Sequence, residues 1–592
     1  MKNILLLSSM GVLFISLAFA QDMQYVSKKS GDTLFVKDDN EYLGSNTLYL
    51  LMKSDTSAPA TRVYMLKYAG MYSLANSPQS SKIHRTIIMG PEQNLKTGSP
   101  ATQPPIVTGD YMVEVGVGGG MNINKDLLVK NIDLEIGNAH GNYGGWAWFG
   151  FSGPNMRLEV ENCIMEHTWW TWVGGPPADE SIFFNNCYFV NLNGFPCRRN
   201  GGVVDFNGRG VTHQDTLSVQ NCTHVNTQGT LYRFRDGYTV DRVMFNHNNF
   251  IDCAGYVLMN NGAQSNMIVT NNIFVNVQLQ GYCNALQPAD YGEIDMDSLP
   301  MGLVNLRVDS TFIANGAKFY ADKNLAYWDP SLSNIVSTLN TNNVNSHNDW
   351  VSQMITMNSR TANLFADKTH YPLLTNGKWI SKKPAFANTD NLFSTQLDVV
   401  KAYAIAAVDT THDSRLDLRM PSWRQWTNPE VDNFVHADWP IPIDLSYTDA
   451  DLLTAGLGGF PVGDLGWFPT QLATWKAQRG AELGYIDSVL TGRIVLAVHS
   501  TQALPQGFQL EQNYPNPFNP TTTIGYQLPK VSRVSLKVYD LLGREVATLV
   551  DGRQSAGSHV VGFNADELPS GVYFYSITAD ALHQARKMVL VK

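Results

Sequence analysis

Between residues 127 and 276, apolar and polar positions alternate in short bursts, and the bursts repeat. Six segments align: LLVKNIDLEI (127–136), LEVENCIMEH (158–167), IFFNNCYFVN (182–191), LSVQNCTHVN (217–226), VMFNHNNFID (243–252) and MIVTNNIFVN (267–276). In five of them the fifth residue is Asn (Asn131, Asn162, Asn186, Asn221 and Asn271), and His247 takes that place in the other. The repeats recur 24–35 residues apart. Each alternates as a half-buried strand does, turns at the Asn, and resumes on an apolar residue. One such turn cannot bury its own apolar side, whereas stacked turns can. The pattern therefore predicts a solenoid of short parallel strands.

Asn suits the corner because it tolerates a left-handed backbone, and stacked amides can bond along the column. The next column holds Cys163, Cys187 and Cys222, then Asn248 and Asn272. Thiols stacked in an interior column act as small apolar fillers. Free cysteines are expected there, although neighbouring strands about 4.8 Å apart leave a bridge open.

The repeat resembles the right-handed parallel β-helix of the pectin-lyase-like superfamily. TRVYMLKYAGMYSLANS (61–77), HRTIIMGPEQ (84–93) and PPIVTGD (104–110) look like the opening turns of such helices. The resemblance covers about 61–330 and is architectural, with no catalytic signature. The expected fold is all-β: a right-handed parallel β-helix (solenoid) over 21–330, followed by a small C-terminal immunoglobulin-like β-sandwich.

Residues 331–490 lose the ladder and are expected to form irregular C-terminal turns and loops packed on the solenoid, with 491–504 as a linker. From about 505 the composition changes. NYPNPFNP, YDLLGREV, LPSGVYFY and a basic-apolar KMVLVK end follow in order, in strands separated by Gly-containing turns. These motifs resemble the type A C-terminal sorting domain of the type IX secretion system. The resemblance implies transport by that machinery through 505–592, by way of the periplasm, to the outer surface or the medium. The other end agrees. Lys2, an apolar run from Ile4 to Ala20 and the small-x-small Ala18-Phe19-Ala20 read as a cleavable signal peptide over 1–20. No other stretch reaches 18 consecutive apolar residues, so no transmembrane helix is expected in the mature chain.

Charge narrows the function. The 592 residues carry a net charge of −10 without a basic stripe, which argues against a nucleic-acid partner. A long β-helix face fits a polysaccharide chain. Trp146, Trp148, Trp169, Trp170 and Trp172 fall on two successive turns, either as platforms for sugar rings or as a hydrophobic plug. Aligning GGVVDFNG (201–208), TLYRFRDG (230–237) and YVLMNNG (256–262) puts Asp205, Arg233, Arg235 and Asn260 at outward positions.

A lyase acting by β-elimination on a uronic acid needs a cation for the carboxylate, a base and an acid. Arg233 and Arg235 are the candidate catalytic residues, able to pair a carboxylate in fork geometry. Asp205, Asn260 and the five tryptophans are the candidate substrate-binding residues. The cofactor is open, with Ca²⁺ a candidate for Asp205, Asp236 and Asp241. No Lys lies between Lys130 and Lys318 to act as base, and His213, His224 and His247 are the alternatives, the last two in ladder columns. Asn388-Thr389-Asp390 has a polygalacturonase-like look but stands outside the repeat. Two readings remain: a protein that binds or processes an acidic polysaccharide, and a non-catalytic adhesin or structural protein on the same scaffold.

Overall fold

The computed structural model describes residues 24–56, 58–74, 84–109, 120–135, 147–166, 168, 171–175, 177–192, 202–206, 212–227, 229–234, 238–260, 263–264, 266–278, 302–306, 316, 318–332, 354–388, 439–441, 443–493, 508–513, 516–528, 532–554, 557–580 and 582–592. The signal peptide expected over 1–20 and the 392–408 stretch lie outside them.

Three parallel sheets wrap one core, and each central turn of chain gives one strand to each sheet. One turn runs Arg157–Glu161, Ile164–Glu166 and Thr171–Gly174; the next runs Ser181–Asn185, Tyr188–Val190 and Gly202–Phe206. Among the described residues the first sheet has 13 strands, the second ten and the third six. All their pairings are parallel except an opening hairpin, Val26–Ser30 with Thr33–Val36. This is the expected β-helix.

Register follows the apolar columns. Leu158, Ile182, Leu217, Val243, Met267, Phe319 and Leu374 pair in series on the first sheet, and all are buried. On the second sheet Phe189, His224, Phe250 and Phe274 stack ring on ring, with centroids 4.6, 4.4 and 5.1 Å apart. Burial pushes the pKa of His224 down to about 3, so it is neutral, and its Nε2 meets the Tyr232 hydroxyl at 2.8 Å.

The corner is left-handed at every predicted position: φ is 59° at Asn131, 52° at Asn162, 54° at Asn186, 53° at Asn221, 55° at His247 and 59° at Asn271. The first amides bond to one another. Asn186 Nδ2 donates to Asn162 Oδ1 and Asn162 Nδ2 to Asn131 Oδ1, each at 2.7 Å. The later corners bond to a returning segment instead. Leu457 N donates to Asn271 Oδ1 (2.7 Å), Leu465 N to Asn221 Oδ1 (3.3 Å), and His247 Nδ1 meets the Gly463 carbonyl at 3.2 Å. Gly463 is required there: its φ is 88°, and a Cβ would stand 2.2 Å from Asn249 Oδ1.

Cys163, Cys187, Cys222 and Cys253 are buried free thiols. Burial raises the pKa of Cys163 and Cys222 well above the usual thiol range and that of Cys253 to about 12, which leaves them unreactive. Where Asn replaces Cys in the column, an interior ladder forms. Asn248 Nδ2 donates to Asn272 Oδ1 (2.9 Å) and Asn272 Nδ2 to Asn324 Oδ1 (3.0 Å).

The sequence reading fell short in three places. A second left-handed column runs through Asn191, Asn226, Asp252 and Asn276, one strand after the first. The turns also continue beyond 330: Leu374–Asn376 joins the first sheet and Trp379–Ile380 the second. Finally, the region expected to be irregular contains a 22-residue helix, Pro469–Leu490. Its Ile486, Val489 and Leu490 pack on Met244, Ile268 and Tyr320 of the first sheet. Upstream, Ile441, Ile443, Leu445, Val462 and Trp467 cover Ile164, Tyr188, Val225, Ile251 and Ile273 of the second.

The tail is a separate sandwich with its own core. Gln509–Leu510, Thr521–Leu528 and Gly557–Asn564 form one antiparallel sheet. Ser532–Tyr539, Glu545–Gln554, Gly571–Ala579 and Leu582–Leu590 form the other. Leu536, Val538, Ile524, Tyr575 and Met588 fill the space between. In the YDLLGREV motif, Asp540 Oδ1 accepts the amides of Leu542 and Arg544, both at 2.9 Å, which closes the hairpin.

Candidate functional site

The third sheet carries most of the residues singled out in the sequence. Asp205 and Arg233 are register partners on adjacent strands, one position off the alignment of 201–208 with 230–237, which sets Asp205 against Phe234. Asn260 pairs with Phe234, so it does not share the Asp205–Arg233 row. Tyr232, next to Arg233, reaches inward to His224, so Arg233 and Asp205 lie on the outer side of the sheet. Outward here does not mean open. Arg233 is 2% exposed and Asp205 7%, with Arg233 Nη1 3.8 Å from Asp205 Oδ2. Met259, the register partner of Arg233 on the next strand, is also buried, so this outer face is covered.

The tryptophans follow the same rule. Trp148 and Trp172 occupy matching positions on neighbouring strands, 2% and 0% exposed, with ring centroids 5.9 Å apart edge to face. They belong to the main core and present no free ring face. Arg235, Trp146, Trp169, Trp170 and Asp236, and the side chain of Asn260, lie outside the described residues, as do Thr389 and Asp390.

Chemistry that reaches solvent lies instead on the first sheet, ahead of the strands the long helix covers. The Arg157 guanidinium sits 3.7 Å over the Phe183 ring, and both Arg157 and Arg85 pair with Glu159. Lys130 bridges Glu92 (3.0 Å) and Glu161 (3.6 Å) on the adjoining row. At the N-terminal edge of the same sheet His213, 43% exposed, is held by Asp179 on Nδ1 (2.8 Å) and by Asp241 on Nε2 (3.1 Å). The Asp179 bond is the main cause of a raised His213 pKa, ahead of the opposing effect of burial. His224 and His247, by contrast, are buried in the ladder columns.

Arg157, Phe183 and Glu159 escaped the sequence reading. Their one signal was an alternating outward row, Arg157, Glu159 and Glu161, on a strand whose inward residues are Leu158 and Val160. Among the described residues no helix is long and apolar enough to cross a membrane.

Residues 512–592 match the family described as the secretion system C-terminal sorting domain. Among solved structures, the chain is similar to PorZ, described as an essential bacterial surface component of the type-IX secretion system of Porphyromonas gingivalis. The identity is 19%, the match covers 16% of this chain and 13% of PorZ, and the TM-score is 0.11. No curated protein matches the chain.

Proposed function

We propose that this protein, carried by the type IX secretion system to the cell surface or the extracellular space, binds an extracellular acidic polysaccharide there. The observation that carries the reading is the Arg157–Phe183 stack on the open part of the first sheet. A guanidinium flattened on a ring is a preorganised, planar donor set, suited to carboxylate and hydroxyl groups of a sugar. Arg85, sharing Glu159 with Arg157, extends that surface by two strands.

Burial favours binding over β-elimination. A lyase working through Arg233 would have to open a covered face to admit a uronate, and Asp205 already stands beside that arginine. The test is the full secreted chain against uronic-acid polymers and neutral glucans, by affinity electrophoresis, alongside absorbance for new unsaturated ends. Retardation by the acidic polymers, lost in Arg157→Ala, supports the proposal. Absence of retardation, or retardation unchanged in that variant, overturns it, and new unsaturated ends would restore the lyase reading.

A further inference from the structure

We infer that Asp179, His213 and Asp215 form a binding site for a divalent transition-metal ion of the zinc type. One ligand atom from each lies within 4.8 Å of those of the other two. His213 and Asp215 stand two residues apart on the strand Thr212–Gln220, so their side chains share one side. Asp179 comes from the turn before Ser181–Asn185 and is fixed to that strand, its amide donating to the His213 carbonyl at 2.8 Å. Asp215 is fixed in the same way, its amide donating to the Glu180 carbonyl at 3.1 Å. The three ligands therefore hang from a hydrogen-bonded ladder that holds them near one another before any ion arrives.

The histidine distinguishes this cluster from a patch of acids. Its far nitrogen, Nε2, is held at 3.1 Å by Asp241 on the next strand, Tyr238–Asn246. A carboxylate on one imidazole nitrogen fixes the ring and makes the other nitrogen more basic, as the outer partners of metal-bound histidines do. Nδ1 is thereby aimed at Asp179 and Asp215, and one imidazole with two carboxylates is a three-ligand set that leaves a coordination position open. Imidazole also sets the selectivity: it suits zinc-type ions and is a poor ligand for calcium or magnesium.

The exchange balances simply. The ion takes the Nδ1 lone pair, any proton on Nδ1 passes to buffer, and Nε2–H stays on Asp241. The groups facing the ring are Asp179, Asp215 and Asp241.

The test is calorimetric titration of the full secreted chain with zinc chloride, in two buffers of different ionisation enthalpy, with calcium chloride as the control. The expected result is one saturable zinc site that is weakened about tenfold or more in both Asp215→Asn and His213→Gln. Asp215→Asn leaves both described bonds to the imidazole in place, so it decides the matter should His213→Gln fold poorly. No zinc binding, zinc binding equal in wild type and Asp215→Asn, or calcium binding as tightly as zinc would each overturn the inference.

Discussion

Lys96 Nζ and Asp464 Oδ2 meet as a fully buried ion pair although 368 residues separate them in sequence. Lys96 also donates to the Asn221 carbonyl at 3.1 Å and to Asn186 Oδ1 at 3.3 Å, and Asp464 accepts from Thr223 Oγ1 at 2.6 Å. The pair thus ties an early loop and the returning C-terminal segment to the corner of the solenoid. Burial raises the Asp464 pKa and Lys96 works against that rise.

Removing one partner should cost more than neutralising both. Lys96→Met leaves a buried carboxylate with no counter-charge, for which a loss of about 3–5 kcal/mol is expected. Lys96→Met with Asp464→Asn keeps an acceptor for the Gly466 amide without the stranded charge, and should recover part of that loss. Chemical denaturation of the wild type, both single variants and the double variant measures the coupling. Strictly additive effects would show that the two groups do not stabilise one another.

The corner amides make a second prediction. Asn162 combines a left-handed backbone with bonds to Asn131 and Asn186. Asn162→Ala should cost about 2–4 kcal/mol, from an unfavourable φ and lost amide bonds. Asn162→Gly relieves the φ strain and should cost less by about 1 kcal/mol. Thermal melts of the two variants separate the backbone contribution from the amide contribution, and equal losses would assign everything to the amide.

That column was legible because its chemistry is local. A left-handed corner restricts residue choice at one position per turn, so Asn recurs and even His247 betrays itself by place. Where Lys323 holds the corner with φ 59°, the turn kept its shape but lost its letter, and the later rungs were missed. The long helix was hidden by Gly480 and Gly484 within it. The candidate face failed for another reason. Alternation set Asp205 and Arg233 on the outer side of their strands, but no periodicity records whether that side is covered.

Asp252, at the second corner, gives the pH prediction. Burial lifts its carboxyl to about 7, with the bond from Asn276 opposing the shift. A folded pKa above the unfolded value of about 4 means that the native state holds the proton more tightly. Its contribution to stability is full below about pH 4 and is lost as pH rises through about 7. Asp252→Asn should therefore be more stable than wild type above pH 7, by about 2–4 kcal/mol at most, and the gap should close toward pH 4. Denaturant midpoints at pH 4.5, 6 and 8 read this out, and a constant gap would assign the difference to something other than the proton.

Export is predicted from the other domain. The tail has its own core and matches the sorting family over 512–592. Deleting 505–592 should leave a folded solenoid retained in the periplasm. Fractionation of cells and medium checks this, and undiminished surface or medium levels of the truncated protein would contradict it.

Arg233 and Arg157 should respond in opposite ways, because one is buried beside its partner and the other lies open on a ring. Arg233→Ala removes a charge 3.8 Å from Asp205 in a covered position and leaves that carboxylate buried, so the expected effect is destabilisation of about 3–5 kcal/mol. Affinity for an acidic polymer, measured where the variant remains folded, should not change. Arg157→Ala removes an exposed side chain whose ion pair with Glu159 is worth about 0–1 kcal/mol, so the melting temperature should barely move. Its polymer affinity should fall about tenfold or more, since a charge-assisted bond contributes about 1.5–3 kcal/mol. Raising salt from 0.05 to about 0.3 M should weaken wild-type binding and affect Arg157→Ala less, as screening acts on the charge the variant lacks. Lost affinity in Arg233→Ala at unchanged stability would move the binding face to the third sheet, with Asp205 at its centre.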